Sequence, residues 1–297
     1  MSGSGRHFAR ATRLLRKLRG GSQPALVEAS DGNLYVLKFL DNLQGPQLLF
    51  NESIGTELYR SCKLATAPWT PLVVSSEFLD QNPSCWTEAP EGRRRPSAGV
   101  CFGSRFQDMG NGWLFEILPG GYFSRIANLE RFWLAWFLDA CCGHSDNRQA
   151  IFKEAPTGEL ELMFIDFGHM FFGPKGNFHP KIATSRYLDG RIYPRMTKQL
   201  MMTLRRIADD MNSDELWHLV SEIPDEWKSA IAIRNLTTCL GRLSDSQFVN
   251  MTLETMAEAH RQKECDLSFS RVHDNRVSVL RANAQVIRRA QRANAMQ

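Results

Sequence analysis

The stretch from Phe132 to Cys142 is apolar on nearly every side of a helix, broken only by Asp139. A helix of that kind cannot rest on a surface. It must be covered all round by the rest of the chain, so a core has to be built about it. It is also far shorter than the roughly 20 apolar residues that span a bilayer. Asn128 as N-cap, Glu130 in the first turn and Gly143 after the last residue mark its expected ends. The chain of 297 residues is long enough to supply the cover. At roughly 150 residues per domain it reads as two domains or lobes, and folding at this size buries roughly 75% of the unfolded surface. With 43% hydrophobic and 23% charged residues it is not a disordered chain. The cysteines number seven and include no C-x-x-C pair, which argues against a disulfide framework or a zinc module and for a reducing compartment. The basic N-terminus lacks the apolar centre of a secretory signal. A soluble, cytoplasmic, two-part protein is expected.

Three regions follow one another. In the first, Ala25 to Ala29 and Leu34 to Leu40 are strand-like and flank the turn residues Ser30-Asp31-Gly32-Asn33, so they read as a hairpin. Residues 47 to 64 read as a helix with Leu48, Ile54, Gly55, Leu58, Tyr59 and Cys62 on one stripe. Leu72 to Phe78 reads as a strand, residues 80 to 98 as a long exposed loop, and Val100 to Phe106 as another strand. The second region holds the apolar helix and then a hairpin, Ala150 to Lys153 and Leu160 to Ile165, turning at Pro156-Thr157-Gly158. The third, from about residue 195, is helical by pattern, with starts at Ser213-Asp214-Glu215 and Pro224-Asp225-Glu226 and a basic terminal helix over Arg276 to Ala295.

The net charge of +4 is unevenly spread. Arg6, Arg10, Arg13, Arg16, Lys17 and Arg19 crowd the start without an acid. Arg271, Arg276, Arg281, Arg288, Arg289 and Arg292 crowd the end against Asp274 alone. Such ends can contact nucleic acid or an anionic membrane, or simply form solvated helix faces. Neither end shows interleaved aromatics or a DNA-reading motif.

Four residues stand out chemically. Lys38 lies between apolar neighbours on one face of its strand, so it must reach solvent or an anion. Glu52 falls at the edge of the apolar stripe of the following helix, facing the sheet that carries Lys38, and an ion pair between them is expected, while Glu57 faces water. Asp146 precedes the second hairpin, in Gly143-His144-Ser145-Asp146-Asn147-Arg148-Gln149. Asp166 follows it, in Ile165-Asp166-Phe167-Gly168. A hairpin brings its two ends together, so both carboxylates should lie at one end of it, on the order of 10 Å apart. Two carboxylates beside an apolar hairpin call for a cation, and magnesium with a nucleotide suits such a site. Gly20-Gly21-Ser22-Gln23 offers backbone N–H groups for phosphate, though it is neither a P-loop nor a G-x-G-x-x-G. His144 and His169 read as structural partners of their loops, Arg148 as neutralising Asp146, a phosphate or a loop ion pair, and Cys142-x-His144 is not a metal site, since Cys142 sits in the apolar helix.

This ordered set resembles the protein-kinase-like fold, and within it the HipA-like kinases. The segments that carry the resemblance are Gly20-Gly21-Ser22-Gln23-Pro24, Leu34-Tyr35-Val36-Leu37-Lys38-Phe39, Asn51-Glu52, Val100 to Phe106, His144 to Phe152 and Ile165-Asp166-Phe167-Gly168-His169. The resemblance implies an α+β, bilobal fold: a basic segment over 1–19, a β-rich nucleotide-binding N-lobe over 20–106 and a mainly helical C-lobe over 107–297. It implies ATP and magnesium as cofactors and a protein or small-molecule hydroxyl as phosphoacceptor. Gly21, Ser22 and Gln23 would cover the phosphates, and Lys38, oriented by Glu52, would contact them. Backbone groups of Cys101, Phe102 and Gly103 would meet adenine. Asp146 would orient or deprotonate the acceptor, and Asp166 would hold the metal. Ile151 stands where kinases of this kind carry a second metal ligand. Gln149 is the first substitute and Asn147 the second, and an inactive nucleotide-binding scaffold is the alternative.

Overall fold

The computed structural model describes residues 8–106, 114–115, 117–182 and 184–267. The chain opens with β1 (Ala9–Lys17), β2 (Ala25–Ala29) and β3 (Leu34–Lys38), continues through α1 (Leu48–Ser61) to β4 (Trp69–Val74) and α2 (Ser76–Gln81), and adds the short β5 (Thr87–Ala89) and β6 (Gly92–Arg94) before β7 (Gly99–Arg105). Strands β1, β2, β3, β7 and β4 close in that order into a barrel. Closure is possible because β7 enters between β3 and β4, which brings β4 parallel alongside β1, Ala9 opposite Leu72 and Arg10 opposite Val73. Val27, Leu37, Phe39, Leu72 and Cys101 are among the residues that fill it.

The basic start of the chain therefore departs from its expected form. Residues 9 to 17 are not a solvated helix face but a strand, which β2 pairs along its length. Two register shifts in that pairing interrupt the alternation that would have marked it as β. The expected strand over Leu72 to Phe78 is cut short, because the Ser75 hydroxyl accepts the Phe78 N–H and starts α2. The expected loop over 80 to 98 holds the β5–β6 hairpin.

The remaining elements are β8 (Leu114–Phe115), α3 (Glu130–Cys141), β9 (Gln149–Glu154), β10 (Leu160–Ile165), α4 (Lys198–Asp209), α5 (Asp214–Glu222), α6 (Ala230–Ser244) and α7 (Ser246–Leu267). The molecule is thus a bilobal α+β protein, β-rich first and mainly helical after. Helix α3 is the buried centre of the second lobe: Phe132, Trp133, Ala135, Trp136, Phe137 and Leu138 have no exposure worth the name. It begins without a side-chain cap, so Asn128 does not play the expected part. Gly143, at φ +62, ends it in the left-handed region. Pro224-Asp225-Glu226 opens only a single 3-10 turn, Asp225–Trp227. The basic helix expected over Arg276 to Ala295 lies outside the described residues.

Helix α1 belongs to both lobes. It leaves the barrel at β3, yet Leu48, Phe50, Ile54, Leu58 and Tyr59 join the core of the helical lobe. Cover from both sides is why Asn51, Glu52 and Ser53 are buried along with the apolar stripe. No described helix is long and apolar enough to cross a membrane.

Candidate functional site

Lys38 ends β3 and is 6% exposed. Its ammonium bonds to Glu52 Oε1 on α1 and, at 2.8 Å, to Asp166 Oδ1. A lysine so deep costs several kcal/mol unless paired, and here it has two carboxylates. Burial works against its charge, but Asp166 and Glu52 together hold its pKa above the usual lysine value. Burial also works against the charge of Asp166, yet the ammonium beside it wins and holds this carboxyl well below the ordinary range. For Glu52 burial prevails over Lys38, and its pKa is raised. The other bonds of Glu52 fix the chain after Asp166: Oε2 accepts the Phe167 N–H at 3.2 Å and Oε1 the Gly168 N–H at 2.8 Å. The contact leaves no room for a side chain, since a Cβ on Gly168 would lie 2.8 Å from Glu52 Oε1.

The second hairpin does bring its ends together. Gln149 pairs with Ile165 at the open end, and the Gln149 Nε2 donates to Asp166 Oδ2 at 3.0 Å. Asp166 itself sits at φ +61, a costly conformation for a residue with a side chain. Its carboxylate is the one member of the lysine cluster that reaches solvent, at 29% exposure. Asp146 stands on the loop between α3 and β9. Its Oδ1 accepts the Asn147 N–H at 2.7 Å, and its backbone carbonyl lies 2.7 Å from His144 Nδ1. His144 is fully buried, and that burial, with Arg148 nearby, pushes its pKa down to about 4, so the ring stays neutral. His169 joins Ser145 Oγ at 3.0 Å to Gln44 Nε2 at 3.0 Å. Both histidines are thus loop partners, as their sequence setting implies.

Arg148 does something else than expected. It turns away from Asp146 into the core, where it holds Asp139 through Nε at 2.8 Å and Nη2 at 2.9 Å, both side chains essentially unexposed. Its Nη1 donates to the carbonyls of Ile165 at 2.9 Å and Asp166 at 3.1 Å, and its guanidinium lies over the rings of Tyr59 and Phe167. Tyr59 Oη completes the group with a 2.7 Å bond to Asp139 Oδ1. Asp139 and Tyr59 support the site without having been singled out for it in the sequence, and Asn51, quoted there beside Glu52, was given no role. The signal for Asp139 was present, as the one acid in the apolar helix.

The positions that the resemblance assigns to a nucleotide fare differently. Gly20 to Gln23 forms the turn between β1 and β2. Ser22 is buried and its carbonyl accepts from Asn42 Nδ2 at 2.8 Å. Gly21 packs on Gln44. The Gln23 side chain is held at both of its polar atoms: Oε1 accepts from Lys17 Nζ and the Glu88 N–H, and Nε2 donates to the Glu88 carbonyl. Phe102 and Gly103 have strands on both edges, Lys38 and Leu37 of β3 on one and Pro71 and Thr70 of β4 on the other, and Cys101 pairs with Leu72. A backbone contact from these residues to a base, as the resemblance implies, would have to be made from inside the barrel wall. Ile151 lies within β9 opposite Met163. Among the described residues no set of three or more His, Cys, Asp or Glu side chains could hold a metal by themselves. Asp166 with Gln149 is a smaller set, of the size magnesium takes when waters and phosphate oxygens fill its other positions.

No family model matches the chain, and no curated protein matches it. Among solved structures, it is similar to the crystal structure of the Golgi casein kinase with Mn/ADP bound, at 11% identity and a TM-score of 0.45, over 83% of this chain and 72% of that one. A second crystal structure of the Golgi casein kinase gives 11% identity and a TM-score of 0.44, over 83% and 71%.

Proposed function

We propose that the protein is an ATP- and magnesium-dependent phosphotransferase of the HipA-like kind, acting on a hydroxyl acceptor, with serine or threonine of a protein as the first choice. The observation that carries this reading is the buried Lys38 held between Glu52 and a solvent-reaching Asp166 just after β10, with Asp146 on the loop that leads into its partner β9. Lys38 carries its charge at neutral pH and would offer it to phosphate oxygens. Glu52 keeps the ammonium in place and clamps the backbone after Asp166. Asp146, held by His144 through its backbone, leaves carboxylate capacity for an acceptor hydroxyl. Asp166 would hold the magnesium, and Gln149 would join it once its amide turns its oxygen inward; the metal would supply charge neutralisation between phosphate groups. Little covalent chemistry is then asked of the chain, since phosphoryl transfer depends chiefly on positioning and charge.

The phosphates would approach the Gly20–Gln23 turn through its backbone rather than through Gln23, whose side chain is committed. The basic ends would offer contact to nucleic acid or an anionic membrane, on the strength of their charge alone. The test is transfer of labelled phosphate from ATP by wild type and Asp166→Ala. Labelling by wild type alone supports the reading, and equal labelling sinks it. A second reading, an inactive nucleotide-binding scaffold, is favoured by Ile151 at the position of the expected second metal ligand. Stabilisation of the fold by ATP and magnesium without turnover would select it.

A further inference from the structure

Asn51 precedes Glu52 on α1 and is fully buried. Its Nδ2 group faces three backbone carbonyls of the chain after Asp166: Gly168 at 3.0 Å, Met170 at 2.7 Å and Gly173 at 3.2 Å. An amide nitrogen has only two hydrogens, so three acceptors around it form a fold in the backbone wound about one side chain. That fold is unusual in itself. Phe171 at φ +52 and Phe172 at φ +67 both lie in the left-handed region, where bulky residues seldom sit. The same stretch is bonded to the loop that carries Asp146. The His169 carbonyl accepts the Ser145 N–H at 2.9 Å, the Phe171 N–H goes to Cys142 at 2.9 Å, and the Phe172 N–H goes to Gly143 at 3.1 Å. Asn235 of α6 holds the outer side, through Nδ2 to the carbonyls of Phe171 and Gly176. Gly55, one turn along α1 from Asn51, lets the helix come close: a Cβ there would lie 2.6 Å from Met170 Sδ and 2.8 Å from Phe167 Cβ.

We infer that Asn51 is a positioning residue that sets the placement of Asp146 relative to Asp166. Glu52 grips the two N–H groups directly after Asp166. Asn51, its neighbour, grips the carbonyls beyond, and the segment so held carries the Asp146 loop through three backbone bonds. One turn of α1 thereby fixes the lysine, the metal-facing carboxylate and the acceptor-facing carboxylate in one frame. The inference rests on the phosphotransferase reading for its catalytic consequence, but not for its structural one.

The test uses the full chain. Amide hydrogen exchange is followed over residues 166 to 176 in wild type and Asn51→Ala. The expected result is at least tenfold faster exchange at Met170, Phe171 and Phe172, with the barrel strands unchanged. In ATP turnover with magnesium, Asn51→Ala should lose at least tenfold in kcat while KM for ATP stays within threefold. The magnesium concentration giving half the maximal rate should rise severalfold, and Asn51→Gln, which keeps the donor, should recover part of the rate. Unchanged exchange, or a loss confined to KM, overturns the inference. If Asn51→Ala does not fold, the side-chain amide of Asn51 is read in the wild type by 15N NMR. Slow exchange of its protons supports the inference, and exchange as fast as that of a surface asparagine overturns it. A wild type that neither binds nor turns over ATP with magnesium removes the phosphotransferase reading, while the exchange measurement still decides what Asn51 holds.

Discussion

Two buried ionic groups meet at Asp166, one through its carbonyl and one through its carboxylate, and they are built differently. Asp139 and Arg148 form a closed pair: the guanidinium meets the carboxylate through two nitrogens, the third takes two carbonyls, and neither side chain meets water. Lys38, Glu52 and Asp166 form an open group. One cation is shared by two acids, and one acid reaches solvent at 29% exposure. A closed pair has no capacity left for a ligand, so its work is to hold the backbone at Ile165 and Asp166. The open group keeps one carboxylate, that of Asp166, turned toward solvent and able to take a further partner.

The largest effect expected from this contrast is at Asp166. Asp166→Ala should lower phosphate transfer by about 10³-fold, the scale of losing a main electrostatic contact in a transition state, and should leave the fold intact, as measured by labelled ATP and circular dichroism. A similar loss of activity from Arg148→Met in a protein that is otherwise as stable as wild type would break the comparison. For Arg148→Met the expectation is instead a loss of about 3–5 kcal/mol in denaturant unfolding, because Asp139 loses its cation and keeps only the Tyr59 hydroxyl in the core. Replacing both, Asp139→Leu with Arg148→Met, should restore part of it.

A smaller effect reports on the surroundings of the closed pair. Burial and Arg148 keep His144 neutral, with its pKa near 4 against an ordinary 6.5. Between these values the unfolded chain takes up a proton that the folded one refuses. Stability is therefore complete above pH 6.5 and declines as pH falls toward 4, by up to about 3 kcal/mol, which urea titrations across that range would register. His144→Gln should flatten the slope. The smallest effect lies between the lobes, where Trp227 Nε1 donates to the Val100 carbonyl at 2.8 Å and Glu226 accepts the Val100 N–H at 3.0 Å. Trp227→Phe should cost about 1 kcal/mol, the worth of one hydrogen bond, in thermal or urea unfolding.

The sequence alone determined the local parts. The hairpin over β2 and β3, α1, the apolar helix with Gly143 at its end, and the β9–β10 hairpin all follow from turn residues and periodicity within a few positions. The pairing of Lys38 with Glu52 followed too, because the face of a strand and the face of the next helix are both set by regular geometry. Tertiary structure alone decided the rest. That β1 is a strand shows only in its pairing with β2, because two register shifts break the alternation, and that it closes the barrel shows only in Ala9 and Arg10 lying beside β4. That Arg148 chooses Asp139 over Asp146 depends on which acid is sealed from water, since the attraction between opposite charges is strongest where water does not screen it. That Asn51 gathers three carbonyls depends on a backbone path through left-handed residues with side chains, which propensity speaks against and only the packing of α1, α6 and the Asp146 loop enforces.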